Sequence, residues 1–208
     1  MIGVVFALKR EVVRLGANAA PAVSGVGRER AVRAAEELIA RHPVSALISA
    51  GFAGALSPTL KVGDLVVDTP VAEWTMAAAR HGARQGPVLA LEHVVRTAAE
   101  RARFAATGAL AVDTESAAVA GVAARHGLPF ANVRAITDTA ARDLVLDWDN
   151  CPAPDGQFRL LPLLCRAVQV PGGMAEIARL WYASLLASRS LGQFLRALTS
   201  DLSPEAGV

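Results

Sequence analysis

Four acidic side chains stand where the chain leaves runs of apolar residues: Glu11 in Lys9-Arg10-Glu11, Asp113 and Glu115 flanking Thr114, and Asp138 directly after Thr137. Carboxylates gathered at one rim repel one another and alter each other's protonation. A set of four there reads as acid–base machinery or as a holder of hydroxyl groups. Between them in sequence falls Gly51-Phe52-Ala53-Gly54, a turn whose glycines let backbone N–H groups approach a ligand closely. Taken singly, each acid has a plainer use. Asp113 and Glu115 open a helix, where acids cap and oppose the dipole; Asp138 caps a following turn; Glu11 falls in a first helical turn, where acids are commonplace. It is their joint arrival at strand ends that favours the functional reading.

The elements that must position these residues are legible as short apolar runs. Residues 2–8, 46–50, 65–67 and 131–137, with 87–91 and 109–112 weaker, are continuous rather than alternating, as buried strands are. Helical patterns separate them. Residues 29–41 carry Val32, Ala35, Leu38 and Ile39 on one face and stop at His42-Pro43, and 115–125 stop at His126-Gly127-Leu128-Pro129. Strands alternating with helices predict a three-layer α/β/α sandwich around a twisted mixed sheet, in which ligands bind beyond the carboxyl ends of the strands. A break at 143–157, with loop chemistry in Cys151-Pro152-Ala153-Pro154-Asp155-Gly156, separates an α/β body (1–158) from a C-terminal helical extension of the same domain (159–208).

Composition excludes several classes. With 53% hydrophobic residues the chain has ample material for a core, and a net charge of +2 lacks the basic excess of a nucleic-acid binder. Two cysteines, Cys151 and Cys165, are too few for a disulfide scaffold and fit a reducing compartment, hence a cytoplasmic protein. No uncharged apolar run reaches the length of a membrane span, and the N-terminal charges follow the apolar stretch, the reverse of a signal peptide. Ser24-Gly25-Val26-Gly27-Arg28 lacks the third glycine of a dinucleotide loop, Arg30 standing there, so no nicotinamide cofactor is expected. His42, His81, His93 and His126 show no metal-ligand spacing, and no metal is expected. The segment 159–199 carries five arginines and one acid, Glu176, a local charge of +4. If 174–199 is one helix, Ile177, Leu180, Trp181, Leu191, Leu195 and Leu198 share a face, with Arg179, Arg189 and Arg196 roughly opposite. Such a helix packs on the domain or a partner subunit, or lies on the inner membrane face.

Read in order, the motifs MIGVVFALKREV (1–12), SGVGR (24–28), SAGFAGAL (49–56), LKVGDLV (60–66), AVDTESAAV (111–119) and RAITDTA (134–140) resemble the purine nucleoside phosphorylase and methylthioadenosine/S-adenosylhomocysteine nucleosidase superfamily. The wording at 109–116 and the Arg-rich tail are most similar to its hopanoid-associated phosphorylase branch, whose proposed substrate is adenosylhopane. The resemblance implies an enzyme that cleaves the N-glycosidic bond of an adenine nucleoside. It implies Asp138 as the group that protonates purine N7, a role requiring a proton near neutrality, which burial and neighbouring carboxylates favour. It implies Glu115 on the ribose hydroxyls and Glu11 as the activator of water, with Asp113, Thr114, Thr137, Gly51, Phe52 and Ala53 lining the substrate. Phe52 departs from a family Ser, Thr114 from Met, Asp113 from Glu and Thr137 from Ser. Lys9, Arg10 and Arg28 are candidate ligands for inorganic phosphate as co-substrate, whereas Glu11 repels phosphate and favours water. The resemblance also implies a homo-oligomer. A soluble methylthioadenosine/S-adenosylhomocysteine-type nucleosidase and a non-catalytic nucleoside-binding protein are the alternatives.

Overall fold

The computed structural model describes residues 1–151 and 155–202. Pro152, Ala153 and Pro154 of the expected loop, and 203–208 of the expected extension, lie outside the described residues. Strand β1 (Ile2–Phe6) pairs in parallel with β2 (Ala19–Val23) and β3 (Ala46–Ala55). β8 (Phe130–Asp138) lies parallel to β3 on its other side and is followed outward by antiparallel β4 (Leu65–Asp68) and then β5 (Arg84–Gln85). The order is β2-β1-β3-β8-β4-β5; β7 (Ala111–Asp113) pairs antiparallel with the end of β3, and β6 (Val88–Ala90) adds to β7. This is the mixed sheet expected.

Helices cover both faces, which is why the central strands read as unbroken apolar runs. On one face, α1 (Arg28–Arg41) and α4 (Ser116–Arg125) bring Ala31, Ala35, Leu38, Val119 and Val122 against Val5 and Leu47. On the other, α2 (Ala72–Arg80) and α6 (Gly173–Asp201) bring Trp74, Ala77, Leu191, Phe194, Leu195 and Leu198 against Val4, Phe6 and Ile48. Successive residues of β1 thus serve opposite layers, the period-2 geometry of a strand. Two shorter helices, α3 (Ala98–Ala105) and α5 (Leu160–Ala167), complete the set.

Two irregularities shape the functional end. β1 stops at Phe6, not at residue 8, while β3 runs five residues past the expected Ala50. On the β1 side, β3 is therefore unpaired from Gly51 until Val112 meets Gly54. Opposite, the register slips between Ala53 and Gly54, so that Gly54 faces Asp138 and Thr137 is the extra residue. A bulge of this kind re-aims the side chains beside it, and both Thr137 and Asp138 end on a cavity wall.

The tail is one helix of 29 residues, as expected, but its apolar face is not uniform. Leu191, Leu195 and Leu198 are in the core, Leu180 is half-buried, and Trp181 is 49% exposed. Trp181 instead lies under the guanidinium of Arg10, 3.9 Å from ring centre to Cζ. No helix among the described residues is long and apolar enough to cross a membrane.

Candidate active site

The four acids meet on one cavity of about 910 Å³. After β1 the chain turns through a single 3₁₀ turn at Lys9–Glu11, which directs the Glu11 side chain into the gap left beside β3. There Oε2 accepts from the N–H groups of Ala7 (2.9 Å) and Leu8 (2.8 Å), and Oε1 accepts from Phe52 N–H (2.9 Å). Gly51 is what lets Glu11 in: a Cβ on Gly51 would lie 2.8 Å from Oε1. Gly51, expected on the substrate wall, lies behind Glu11 and does not line the cavity. Burial pushes the Glu11 carboxyl up to about 7, against the pull of its backbone donors and of Arg134, with Glu115 adding to the rise.

Glu115 lies in the same region. Its Oε1 accepts from Gly27 N–H (3.1 Å), at the positive end of α1, so the loop that resembled a dinucleotide motif serves a carboxylate of the chain itself. Burial raises this carboxyl too, opposed by the Thr114 hydroxyl, Arg134 and Gly27. Asp113 proves different. Its Oδ1 accepts from Ser116 N–H (3.2 Å) and Oγ (2.8 Å), and its Oδ2 from Arg134 Nε (2.5 Å) and Asn132 Nδ2 (3.2 Å). Of the two acids before α4, Asp113 takes the capping role and Glu115 reaches the cavity without capping.

Across the cavity, Asp138 was expected beside neighbouring carboxylates, and the structure gives it a cation as well. Its nearest charged neighbour is the guanidinium of Arg101, which reaches Oδ2 from α3, while Oδ1 accepts from the Thr137 hydroxyl at 3.0 Å. Both oxygens of Asp138 therefore accept hydrogen bonds. Arg101 is 1% exposed, and a Cβ on Gly54 would fall 2.6 Å from its Nη1.

The cations expected to hold phosphate all border the cavity but are engaged elsewhere or exposed: Arg10 on Trp181, Arg28 at 3.8 Å from Glu92, and Lys9 in solvent with its backbone N–H on Gln157 (3.1 Å). Gln157 also donates to Ala7 O (3.1 Å), pinning the turn that carries Glu11. The Phe52 ring and Ala53 line the cavity. Its far end is apolar, formed by Trp148, Phe158, Leu163, Ile177, Leu180 and Trp181. Buried Glu176 of α6 shapes this end by accepting from Val145 N–H (2.7 Å), Leu146 N–H (3.1 Å) and Trp148 Nε1 (2.9 Å). Sequence reasoning missed Arg101, Arg134, Gln157, Trp148 and Glu176. Only Arg134 carried a signal, a charge inside an apolar run that has to find a partner once buried. Among the described residues no group of three or more His, Cys, Asp or Glu side chains is placed to hold a metal ion.

A cavity at the carboxyl ends of β1, β3 and β8, walled by carboxylates and closed by apolar side chains, is a small-molecule site of an α/β enzyme. The family model of the phosphorylase superfamily matches residues 8–93 and 76–150, and the chain belongs to that superfamily, whose enzymes cleave the N-glycosidic bond of nucleosides. Among curated proteins, the chain is 28% identical to a 5′-methylthioadenosine/S-adenosylhomocysteine nucleosidase of Shewanella baltica over 165 aligned residues, 61% of this chain and 69% of that one. Among solved structures it is similar to the nucleosidase of the same description from Colwellia psychrerythraea in complex with adenine. There the TM-score is 0.71 and the identity 17%, with 97% of this chain and 95% of that one covered. It is also similar to futalosine hydrolase of Helicobacter pylori, with TM-score 0.68, 18% identity and 97% of each chain covered.

Proposed function

We propose that this chain hydrolyses the N-glycosidic bond of an adenine nucleoside, with Glu11 activating water, Glu115 holding the ribose hydroxyls and Asp138 on purine N7. The single observation that carries the reading is the environment of Glu11. The backbone N–H groups of Ala7, Leu8 and Phe52, a natural cradle for an anion, are already filled by its carboxylate. Phosphate would have to displace that buried carboxylate or lie against it. Water does not, and a carboxyl raised to about 7 is well matched to take its proton at neutral pH.

In the reaction, Glu11 takes a proton from water as the oxygen bonds to C1′. The C1′–N9 bond breaks, and its electron pair passes into the purine as N7 takes the proton that Asp138 holds as general acid. Glu115 accepts from two sugar hydroxyls at once, fixing the ribose as positive charge builds on it. The test is adenine release from 5′-methylthioadenosine with and without inorganic phosphate. Release at equal rates in both supports hydrolysis. Strict dependence on phosphate overturns it, and no release from any adenine nucleoside overturns the enzyme reading altogether.

A second reading concerns the substrate's far end. The apolar wall from Trp148 to Trp181 favours a nucleoside with a large apolar 5′ group, adenosylhopane being the candidate implied by sequence. Exposed Met174, Trp181, Tyr182 and Leu185 on α6, with the arginines of the tail, suit contact with an anionic membrane surface where such a molecule resides. Co-sedimentation with phosphatidylglycerol vesicles, lost on replacing Trp181 and Tyr182 by Ser, is the expected result. Intact protein that stays in the supernatant rules out the membrane contact.

A further inference from the structure

We propose that residues 155–157 are a strap that positions the two acids of the sugar end, with Gln157 as the positioning residue for Glu11. The inference rests on the reading that Glu11 activates water and Glu115 holds the ribose. The pairing of β1 with both of its neighbours ends at Phe6. The peptides just beyond it, which carry the donors to Glu11, therefore lie past the ladder of the sheet. The Gln157 amide takes them up: Oε1 accepts from Lys9 N–H (3.1 Å) and Nε2 donates to Ala7 O (3.1 Å).

A trans peptide is planar, with its C=O and N–H pointing opposite ways, so fixing one group aims the other. In the peptide between residues 7 and 8, Gln157 holds Ala7 O, and the opposite group, Leu8 N–H, donates to Glu11 Oε2 (2.8 Å). In the next peptide Gln157 holds Lys9 N–H, and the opposite group, Leu8 O, accepts from the backbone N–H of Glu11 (3.0 Å). Two successive peptide planes are thus clamped between the Gln157 amide on one side and Glu11 on the other. An amide side chain carries both a donor and an acceptor, which this grip requires.

The same strap supports the holder of Glu115. Gly156 O accepts from Val26 N–H (2.9 Å), and the next residue, Gly27, donates to Glu115 Oε1. The two loops meet without side chains between them. A Cβ on Gly156 would fall 2.8 Å from Val26 N, and one on Gly25 2.6 Å from Asp155 O, and both glycines have positive φ (75° and 82°). Gln157 N–H donates to Asp155 Oδ1 (3.1 Å), which fixes the strap internally.

The experiment measures adenine release from 5′-methylthioadenosine across pH in the intact protein, in Gln157→Met, which keeps the length of the side chain without its amide, and in Gly156→Ala, which pushes the strap off residues 25–27. Small misplacement of a catalytic group is costly, so kcat should fall about tenfold to a hundredfold in Gln157→Met, with KM within about threefold of the parent. Loosened N–H groups also withdraw what holds the Glu11 carboxyl down, so the midpoint of the kcat/KM profile should move up from about 7. Arg134 of β8 and Glu115 before α4, the charged groups that act on Glu11 from other elements, are unchanged in this variant. Gly156→Ala should move both readouts the same way, and it decides by them should Gln157→Met fail to fold. A kcat within about twofold of the parent overturns the proposal. So does a loss carried by KM, or a fall in kcat with the midpoint unmoved, either of which assigns the strap a merely structural role. An intact protein that releases no base, or a pH limb that survives in Glu11→Gln, overturns the underlying reading instead, and the inference with it.

Discussion

The two ends of the cavity hold the same chemical group in opposite ways. At one end Glu11 and Glu115 are buried against neutral backbone N–H groups, and Arg134, the cation that acts on both, is spent on Asp113. At the other end Asp138 is matched one to one by Arg101. With Glu11 and Glu115 ionised, the first end carries a net negative charge, while at the second a guanidinium stands against the carboxyl group. Breaking a glycosidic bond puts positive charge on the sugar and negative charge on the departing base. In the proposed reaction the negative pole lies under the sugar and the cation beside the base, a field arranged in advance for that separation. The difference teaches that the number of carboxylates at a rim says little until their partners are known.

The largest expected break in this contrast is Asp138→Asn, which keeps the shape of that end but removes the carboxyl proposed to protonate N7. Turnover should fall roughly 10²–10⁴-fold with an unchanged circular-dichroism spectrum; a near-normal rate would remove Asp138 from the chemistry. Glu115→Gln sharpens the other end. Losing a charged acceptor for sugar hydroxyls should cost about 10–100-fold in kcat/KM, and an effect on the base preference instead would show the ends to be wrongly assigned. The pH profile follows. If Glu11 acts as the base, kcat/KM rises with pH through a midpoint near 7 and drops about tenfold per unit well below it, and Glu11→Gln abolishes this limb. A limb that survives in Glu11→Gln belongs to another group.

The smallest effect is on stability. Glu11 has its carboxyl raised from an ordinary value near 4.5 to about 7 on folding. The folded state therefore binds the proton more tightly than the unfolded one, and the associated stability is complete below 4.5 and lost as pH rises through 7. Glu115, also raised, acts with the same sign. The melting temperature should drop by a few degrees between pH 5 and pH 8, and Glu11→Gln should flatten that slope. A slope unchanged by the substitution assigns it elsewhere.

Much of this architecture was legible in the chain. The strands at the centre of the sheet are covered on both faces and so announce themselves as unbroken apolar runs. β2 did not, because Ala19–Val23 is an edge strand of small residues that tolerates Pro21 where a central strand would not. β5, at two residues, is too short to carry a period. The acids were found because a strand's end is a local property. Their partners were not, because Arg101 and Asp138 are 37 residues apart and Arg134 and Asp113 are 21 apart, and such pairings are made by topology. The same cause parts Trp181, expected on one face with Leu191 and Leu195, from those residues and leaves it at the cavity rim. A helix of 29 residues faces the cavity with its first half and the sheet with its second.

Gly51 and Gly54 lie three positions apart on β3, one yielding its side-chain space to Glu11 and the other to the Arg101–Asp138 pair. Strand geometry makes that spacing about 10 Å. The interval between Glu11 and Asp138, proposed to handle water and base, is thus ruled off along a single stretch of main chain, like two marks on a gauge. Side chains around the cavity can change to admit a longer or greasier substrate without touching that interval. One residue inserted or removed between the marks would change it at once, whatever the surrounding residues were.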